Sequence, residues 1–112
     1  MQNNSTNLVE FYENEYRISH RIMAQNTNNK QKNVLELIVK YKTELQLFGH
    51  LPFQTESVRN SVGAVNQEKT YFLNEPQATL LLTFMRNNEV VINFKVHLVQ
   101  NFYQTKNLFW IF

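Results

Sequence analysis

Residues 19–49 read SHRIMAQNTNNKQKNVLELIVKYKTELQLFG, and this stretch decides the fold. Ser19 stands where a helix N-cap belongs, because its hydroxyl can accept from a first-turn amide that lacks an intrahelical partner. His20 to Gln25 then reads as a helix of about two turns. Asn26-Thr27-Asn28-Asn29 breaks it, since Asn tolerates left-handed backbone and Thr can cap the helix that follows. From Lys30 to Phe48 the apolar spacing is helical. At about 100° per residue, Val34, Ile38, Tyr41 and Leu45 share one stripe, with Leu37 and Phe48 on its edge. Glu36, Lys40, Thr43 and Glu44 fall opposite. Gly49 closes the helix and Pro52 follows as a stop. A short helix, an amide-rich turn and a long helix with a basic start predict a helix-turn-helix. A plain helical hairpin in an Asn-rich chain would look similar.

Outward from this stretch, residues 1–7 form a polar segment expected to be a disordered tail. Leu8 to Tyr12 is apolar and aromatic, and Glu13-Asn14-Glu15 can turn it back into Tyr16–Ile18 as a small hairpin. On the other side, Leu51–Val58 and Lys69–Leu73 predict a second hairpin whose tip carries Arg59, Asn60 and Lys69. Asn74 caps a further helix with Pro76 in its first turn, running to about Met85. The last segment, Glu89 to Gln104, fits either period. Ile92, Phe94, Val96 and Leu98 alternate as in a strand, yet the apolar positions from Val91 to Tyr103 also fill a helical arc of about 200°, interrupted by Lys95. The chain ends on Leu108-Phe109-Trp110-Ile111-Phe112, an apolar tail.

A chain of 112 residues accommodates one domain. Hydrophobic residues at 43% supply enough apolar surface for a core, so disorder is rejected as the default. Sixteen Asn and nine Gln accompany a complete absence of Asp, so every acid is one of nine Glu. The net +2 is uneven: Arg17, Arg21, Lys30, Lys32, Lys40 and Lys42 face Glu36 alone between residues 17 and 42. A basic segment on an acidic body is the layout of a nucleic-acid or acidic-protein face. Its bland counterpart is a solvated helix that only confers solubility. There is no cysteine, no signal-peptide layout and no apolar run near the roughly 20 residues that span a bilayer, so a cytoplasmic protein with no membrane role is expected.

Catalysis has little to build on. His20, His50 and His97 sit on different elements without a ligand-spaced partner, so no metal site or cofactor is expected. Four serines lack a strained glycine elbow, and the missing Asp removes the usual histidine orienter. No catalytic residues are assigned, and the expectation is a non-enzyme. Binding chemistry is easier to state. A recognition helix presents its first turns to the major groove, where Gln and Asn can read adenine and lysines neutralise phosphates. Asn29, Lys30, Gln31, Lys32 and Asn33 occupy that position, with Arg17 and Arg21 expected on the flanking backbone and Arg59 on the wing.

The stretches RISHRIMA, NNKQKNVLELI and YFLNEPQATLLLTFMRNNEVVINFKVHLVQNFY resemble the Rha-type phage regulatory proteins. The likeness runs from about Tyr16 to Gln104. Lys30, Lys32, Asn33 and Val34 match the family's helix start, whereas its usual His is Gln31 and its turn Gly is Asn28. The resemblance implies a phage or prophage origin and a DNA-binding-like regulatory domain. It also implies a helix at Glu89–Gln104. Many relatives look longer, which implies that this chain is a stand-alone derivative.

These readings converge on a small α+β domain over residues 8–107. It combines a winged helix-turn-helix-like unit with an N-terminal β-hairpin and two C-terminal helices. The expected function is phage-encoded regulation through double-stranded DNA. The alternative is an anti-CRISPR-like protein inhibitor that binds a host defence nuclease complex through the same basic face or the tail. Leu108, Phe109, Trp110, Ile111 and Phe112 are expected either to fold back over the last helix or, preferably, to form a homodimer or partner interface.

Overall fold

The computed structural model describes residues 8–110, and side chains as far as Thr105. The expected tail at residues 1–7 lies outside the described residues, as do Ile111, Phe112 and the side chains of Leu108–Trp110. The chain is α+β, with five helices and one four-stranded antiparallel sheet among the described residues. In chain order the elements are β1 (Glu10–Tyr12), β2 (Glu15–Ser19), α1 (His20–Thr27), α2 (Gln31–Lys40), α3 (Lys42–Gln46), β3 (Phe53–Arg59), β4 (Val65–Leu73), α4 (Glu75–Thr83) and α5 (Glu89–Trp110). The sheet order is β1-β2-β4-β3, so the first hairpin joins the second through β2 and β4. That junction is short: Ile18 pairs with Leu73 and Ser19 with Phe72.

Local chemistry explains most element boundaries. Glu13 and Asn14 both hold positive φ, 49° and 68°, which a two-residue hairpin turn requires to match strand twist. Ser19 Oγ accepts from the Ile22 amide at 3.2 Å and starts α1. Asn28, at φ 59°, ends it in the left-handed conformation, and the Asn29 amide reaches back to the Ala24 carbonyl at 3.0 Å. Thr27 does not cap α2, because its hydroxyl donates back to the Met23 carbonyl at 2.7 Å. Asn74 and Gln77 form a reciprocal capping box at the start of α4.

Three boundaries differ from the sequence reading. The long helix is broken at Tyr41, whose backbone leaves helical space (φ −110°, ψ 25°). There its ring stacks on Phe84 at 4.0 Å and 21°, a tertiary contact invisible to a periodicity argument. The second hairpin pairs from Phe53↔Tyr71 out to Arg59↔Val65, which places Lys69 opposite Thr55 in mid-ladder rather than at the tip. Finally, α5 continues through Trp110 instead of stopping near Gln104, so the backbone of residues 108–110 extends the helix. Among the described residues, no helix is long and apolar enough to cross a membrane.

The core joins Ile18, Met23, Val34, Ile38, Leu45, Leu73, Leu81 and Leu98 from every layer. Polar side chains share that interior, among them His20 and Thr27. Arg17, Asn74 and Gln77 are each at most 2% exposed. Gln77 Nε2 donates to the carbonyls of Leu45, Gly49 and His50 at 3.2, 2.9 and 3.2 Å, while its Oε1 accepts from the Asn74 amide at 2.9 Å. Truncating it would leave several buried groups unpaired at once. Gln77→Ala is therefore expected to cost about 3 kcal/mol and lower Tm by roughly 15 °C, measured by thermal denaturation. An unchanged Tm would show that water or a relaxed loop replaces the side chain.

Candidate nucleic-acid interface

A groove of about 540 Å³ opens between α2 and β4. Its floor is His20 and Tyr71, its α2 wall carries Gln31, Lys32, Leu35 and Val39, and its β4 wall carries Gln67, Glu68 and Lys69. Arg21 crosses from α1 to bind both walls. Its Nε donates to Thr70 Oγ1 at 2.6 Å, Nη2 to Glu68 Oε1 at 3.1 Å and Nη1 to Gln31 Oε1 at 3.0 Å. Glu68 and Thr70 are two apart on β4 and so share one face of the strand, which lets one guanidinium meet both. Lys69 lies over the Phe53 ring at 4.5 Å, which braces its stem without neutralising its charge.

His20 holds the junction of strand and helix. One residue beyond the Ser19–Phe72 pair, its Nδ1 accepts from the Tyr71 amide at 3.1 Å, replacing the ladder bond that β2 no longer offers. The remaining ring hydrogen therefore resides on Nε2. Burial, and secondarily the Arg21 charge, lower its pKa from 6.5 to about 4.

The expected site residues do not all meet here. Arg21, Gln31 and Lys32 converge on the groove. Arg17 does not. It is buried, and its guanidinium donates to the carbonyls of Tyr12 (2.9 Å), His50 (3.2 Å) and Phe72 (3.3 Å) and to Glu15 Oε2 (3.0 Å). Its expected place on the DNA backbone is corrected: a side chain enclosed by four acceptors cannot reach a phosphate. Asn29 and Asn33 line a separate depression of about 380 Å³ on the other side of α2, with Lys40 and Arg86. Asn29 is tied into its own turn, donating to Thr27 Oγ1 at 2.9 Å. Lys30 occupies the N-cap position of α2, exposed and without a side-chain cap bond. Arg59 is exposed at the hairpin tip and donates to the Gly63 carbonyl at 3.0 Å. Lys69 and Glu68 were missed as groove residues because the hairpin register could not be read from spacing. The strand alternation of residues 68 and 70 was the available signal. Among the described residues, no three His, Cys, Asp or Glu gather as metal ligands.

A comparison with protein families matches residues 18–107 to phage regulatory protein Rha. The chain belongs to that family. The match takes in α1, α2, the second hairpin and both groove walls, so the Rha region contains the whole candidate interface. No curated protein and no solved structure matches the chain.

The depressed His20 pKa gives this Rha domain a pH signature. Because the folded value lies below 6.5, the unfolded chain binds the proton more readily. The associated stability is complete above about pH 6.5 and is lost as pH falls toward 4, amounting to about 3 kcal/mol. Denaturant titrations at pH 7.5 and 4.5 should show that loss in the native sequence and a much smaller one in His20→Gln. Equal losses in both proteins would remove His20 as the cause.

Proposed function

We propose that this Rha-family chain is a DNA-binding regulator in which α1, the turn Asn28–Lys30 and α2 act as a helix-turn-helix and the β3–β4 hairpin as its wing. The observation that carries this reading is the convergence of Arg21, Gln31, Lys32 and Lys69 on one open groove. Duplex DNA requires cations at phosphate spacing and an amide or guanidinium that can enter the major groove. The exposed first turn of α2 offers Gln31, Lys32 and Asn33 there, and Lys30 precedes it.

The roles divide by chemistry. Lys30, Lys32 and Lys69 serve as phosphate contacts, and Arg59 at the hairpin tip reaches the neighbouring backbone. Gln31 reads a base: its Oε1 already accepts from Arg21, and its Nε2 carries the donor that a purine N7 accepts. Arg21 is a positioning residue. Three hydrogen bonds hold it, so it fixes the Gln31 amide rather than touching DNA.

The test is fluorescence anisotropy with duplex DNA across a salt series. Binding should weaken with salt, and Lys30→Ala with Lys32→Ala should shrink the log–log slope by about two. Gln31→Ala should leave the slope unchanged but reduce base discrimination roughly tenfold in a selection from random duplexes. Absence of duplex binding at low salt sinks this reading. Recovery of a stoichiometric host nuclease from nuclease-treated lysate would then move the same face to the inhibitor role.

A further inference from the structure

The side of α2 away from the groove carries a second, smaller site. Val34 and Ile38 bury one face of α2, and Gln31, Leu35 and Val39 run along the groove at spacings of four. Asn33, Glu36 and Lys40 share another face, about 130° round the helix from the groove row. With Arg86 they line the depression of about 380 Å³. Arg86 lies in the connection between α4 and α5, and the two residues before it are held at the two ends of α2. Met85 Sδ meets Asn29 Nδ2 at 3.7 Å, and Phe84 stacks on Tyr41 at 4.0 Å. The break of α2 at Tyr41 accompanies that second contact. Lys40 Nζ lies 5.4 Å from the centre of the same Tyr41 ring. The cations of the depression thus sit on a braced frame.

We propose that this depression is a phosphate site for one strand of duplex DNA, with Lys40 and Arg86 as its cations, so that the two strands are held on opposite sides of α2. The inference rests on the DNA-binding reading above and extends it to residues outside the groove. A helix with its side chains is about 10–12 Å across, and the major groove is about 12 Å wide. A helix lying there therefore has one sugar-phosphate backbone on either side, and the two backbones belong to opposite strands. Lys69 from β4 supplies a cation on the groove side of α2. Lys40 and Arg86 supply cations on the other.

The charges agree with an anionic ligand. Among the described residues the ion pairs are Arg17–Glu15, Arg21–Glu68 and His50–Glu13, and neither Lys40 nor Arg86 takes part in one. Both are exposed. Arg17 and Arg21 direct their donors into the fold, whereas Arg86 presents a planar fork that suits two oxygens of one phosphodiester. Asn33, exposed in the first turn of α2, adds an amide donor of the kind that meets phosphate oxygens. Glu36 also lines the depression and opposes an anion, so its three charged groups sum to +1.

Duplex binding measured by anisotropy across a salt series, with ethylation interference marking the contacted phosphates on each strand, tests this. Lys40→Ala with Arg86→Ala should shrink the log–log slope by about two and remove interference on one strand. Its circular-dichroism melt should be unchanged, because both positions are exposed. Lys69→Ala should shrink the slope by about one and remove interference on the opposite strand. Arg86→Gln alone should shrink it by about one, and serves if the double variant misfolds. A native chain that binds duplex, with a slope and interference pattern that the Lys40 and Arg86 variants leave unchanged, overturns the proposal and leaves the groove reading standing. So does loss of interference on the same strand in Lys69→Ala and in the double variant. A native chain that binds no duplex at low salt overturns the DNA-binding reading itself, and this site with it.

Discussion

The carbonyl of His50 accepts from both Arg17 Nη1 and Gln77 Nε2, at 3.2 Å each, and the rest of the structure depends on that meeting. The chain leaving α3 must turn through Gly49, at φ 132°, with its carbonyls pointing inward. Buried carbonyls without donors are costly, so the turn exists only where side chains are supplied to it. Gln77 from α4 gives three bonds, Asn74 takes the Phe48 carbonyl at 2.9 Å, and Arg17 from β2 closes the set. The same Arg17 reaches Tyr12 in β1 and Phe72 in β4. One cation therefore fixes both hairpins, and the helices beyond the turn, relative to each other. An Arg in this position is worth more for specificity than for net stability, since desolvation offsets much of the charge-assisted bonding. A Cβ on Gly49 would also press on Asn74 Nδ2 at 3.2 Å, so the node leaves little room at the turn.

The node changes what the charge distribution means. A linear count assigns six cations to residues 17–42. In the folded chain Arg17 pairs with Glu15 and Arg21 with Glu68. Both arginines, the side chains best suited to bidentate phosphate recognition, are engaged by the protein itself. The basic surface of the groove falls to lysines, which act as hydrated point charges. Such a surface attracts an anionic polymer along its length but does not discriminate one phosphate from another. In the proposed DNA-binding role, selectivity is therefore assigned to amides, and Gln31 is an amide that the Arg21 network holds still. The Glu56↔Glu68 pairing sharpens this arrangement, because like charges opposite each other on a hairpin repel and favour turning Glu68 toward Arg21.

What could be read from the sequence was the local part. The Ser19 cap, the Asn28 break and the Asn74-Pro76 helix start are decided by residues within one turn of each other, so the pattern contains its own cause. The Arg17, Gln77 and Tyr41 contacts were not legible. Gln77 meets carbonyls 27 to 32 positions away, and Tyr41 meets Phe84 from across the domain. Nothing in the spacing of a Gln within QATLLLT distinguishes a buried clamp from a solvated surface residue. The candidate site divides along the same line. Lys32 and Gln31 were legible as the start of a helix, whereas their partners on β4 required a hairpin register that only the folded ladder fixes.

The wide apolar arc on the last helix has the most specific physical resolution. An arc of about 200° is too broad for one contact and too interrupted for a fully buried helix. In the structure it separates into two stripes. The core stripe through Phe94 and Leu98 and the exposed stripe through Val96 and Val99 are centred roughly 130° apart around α5. Lys95 lies between them, half-buried, where its aliphatic stem can cover apolar surface while its ammonium reaches water. A single charged residue in the arc is thus no flaw in an amphipathic pattern. It marks the boundary between a face buried against α1 and α4 and a face whose apolar surface is exposed among the described residues.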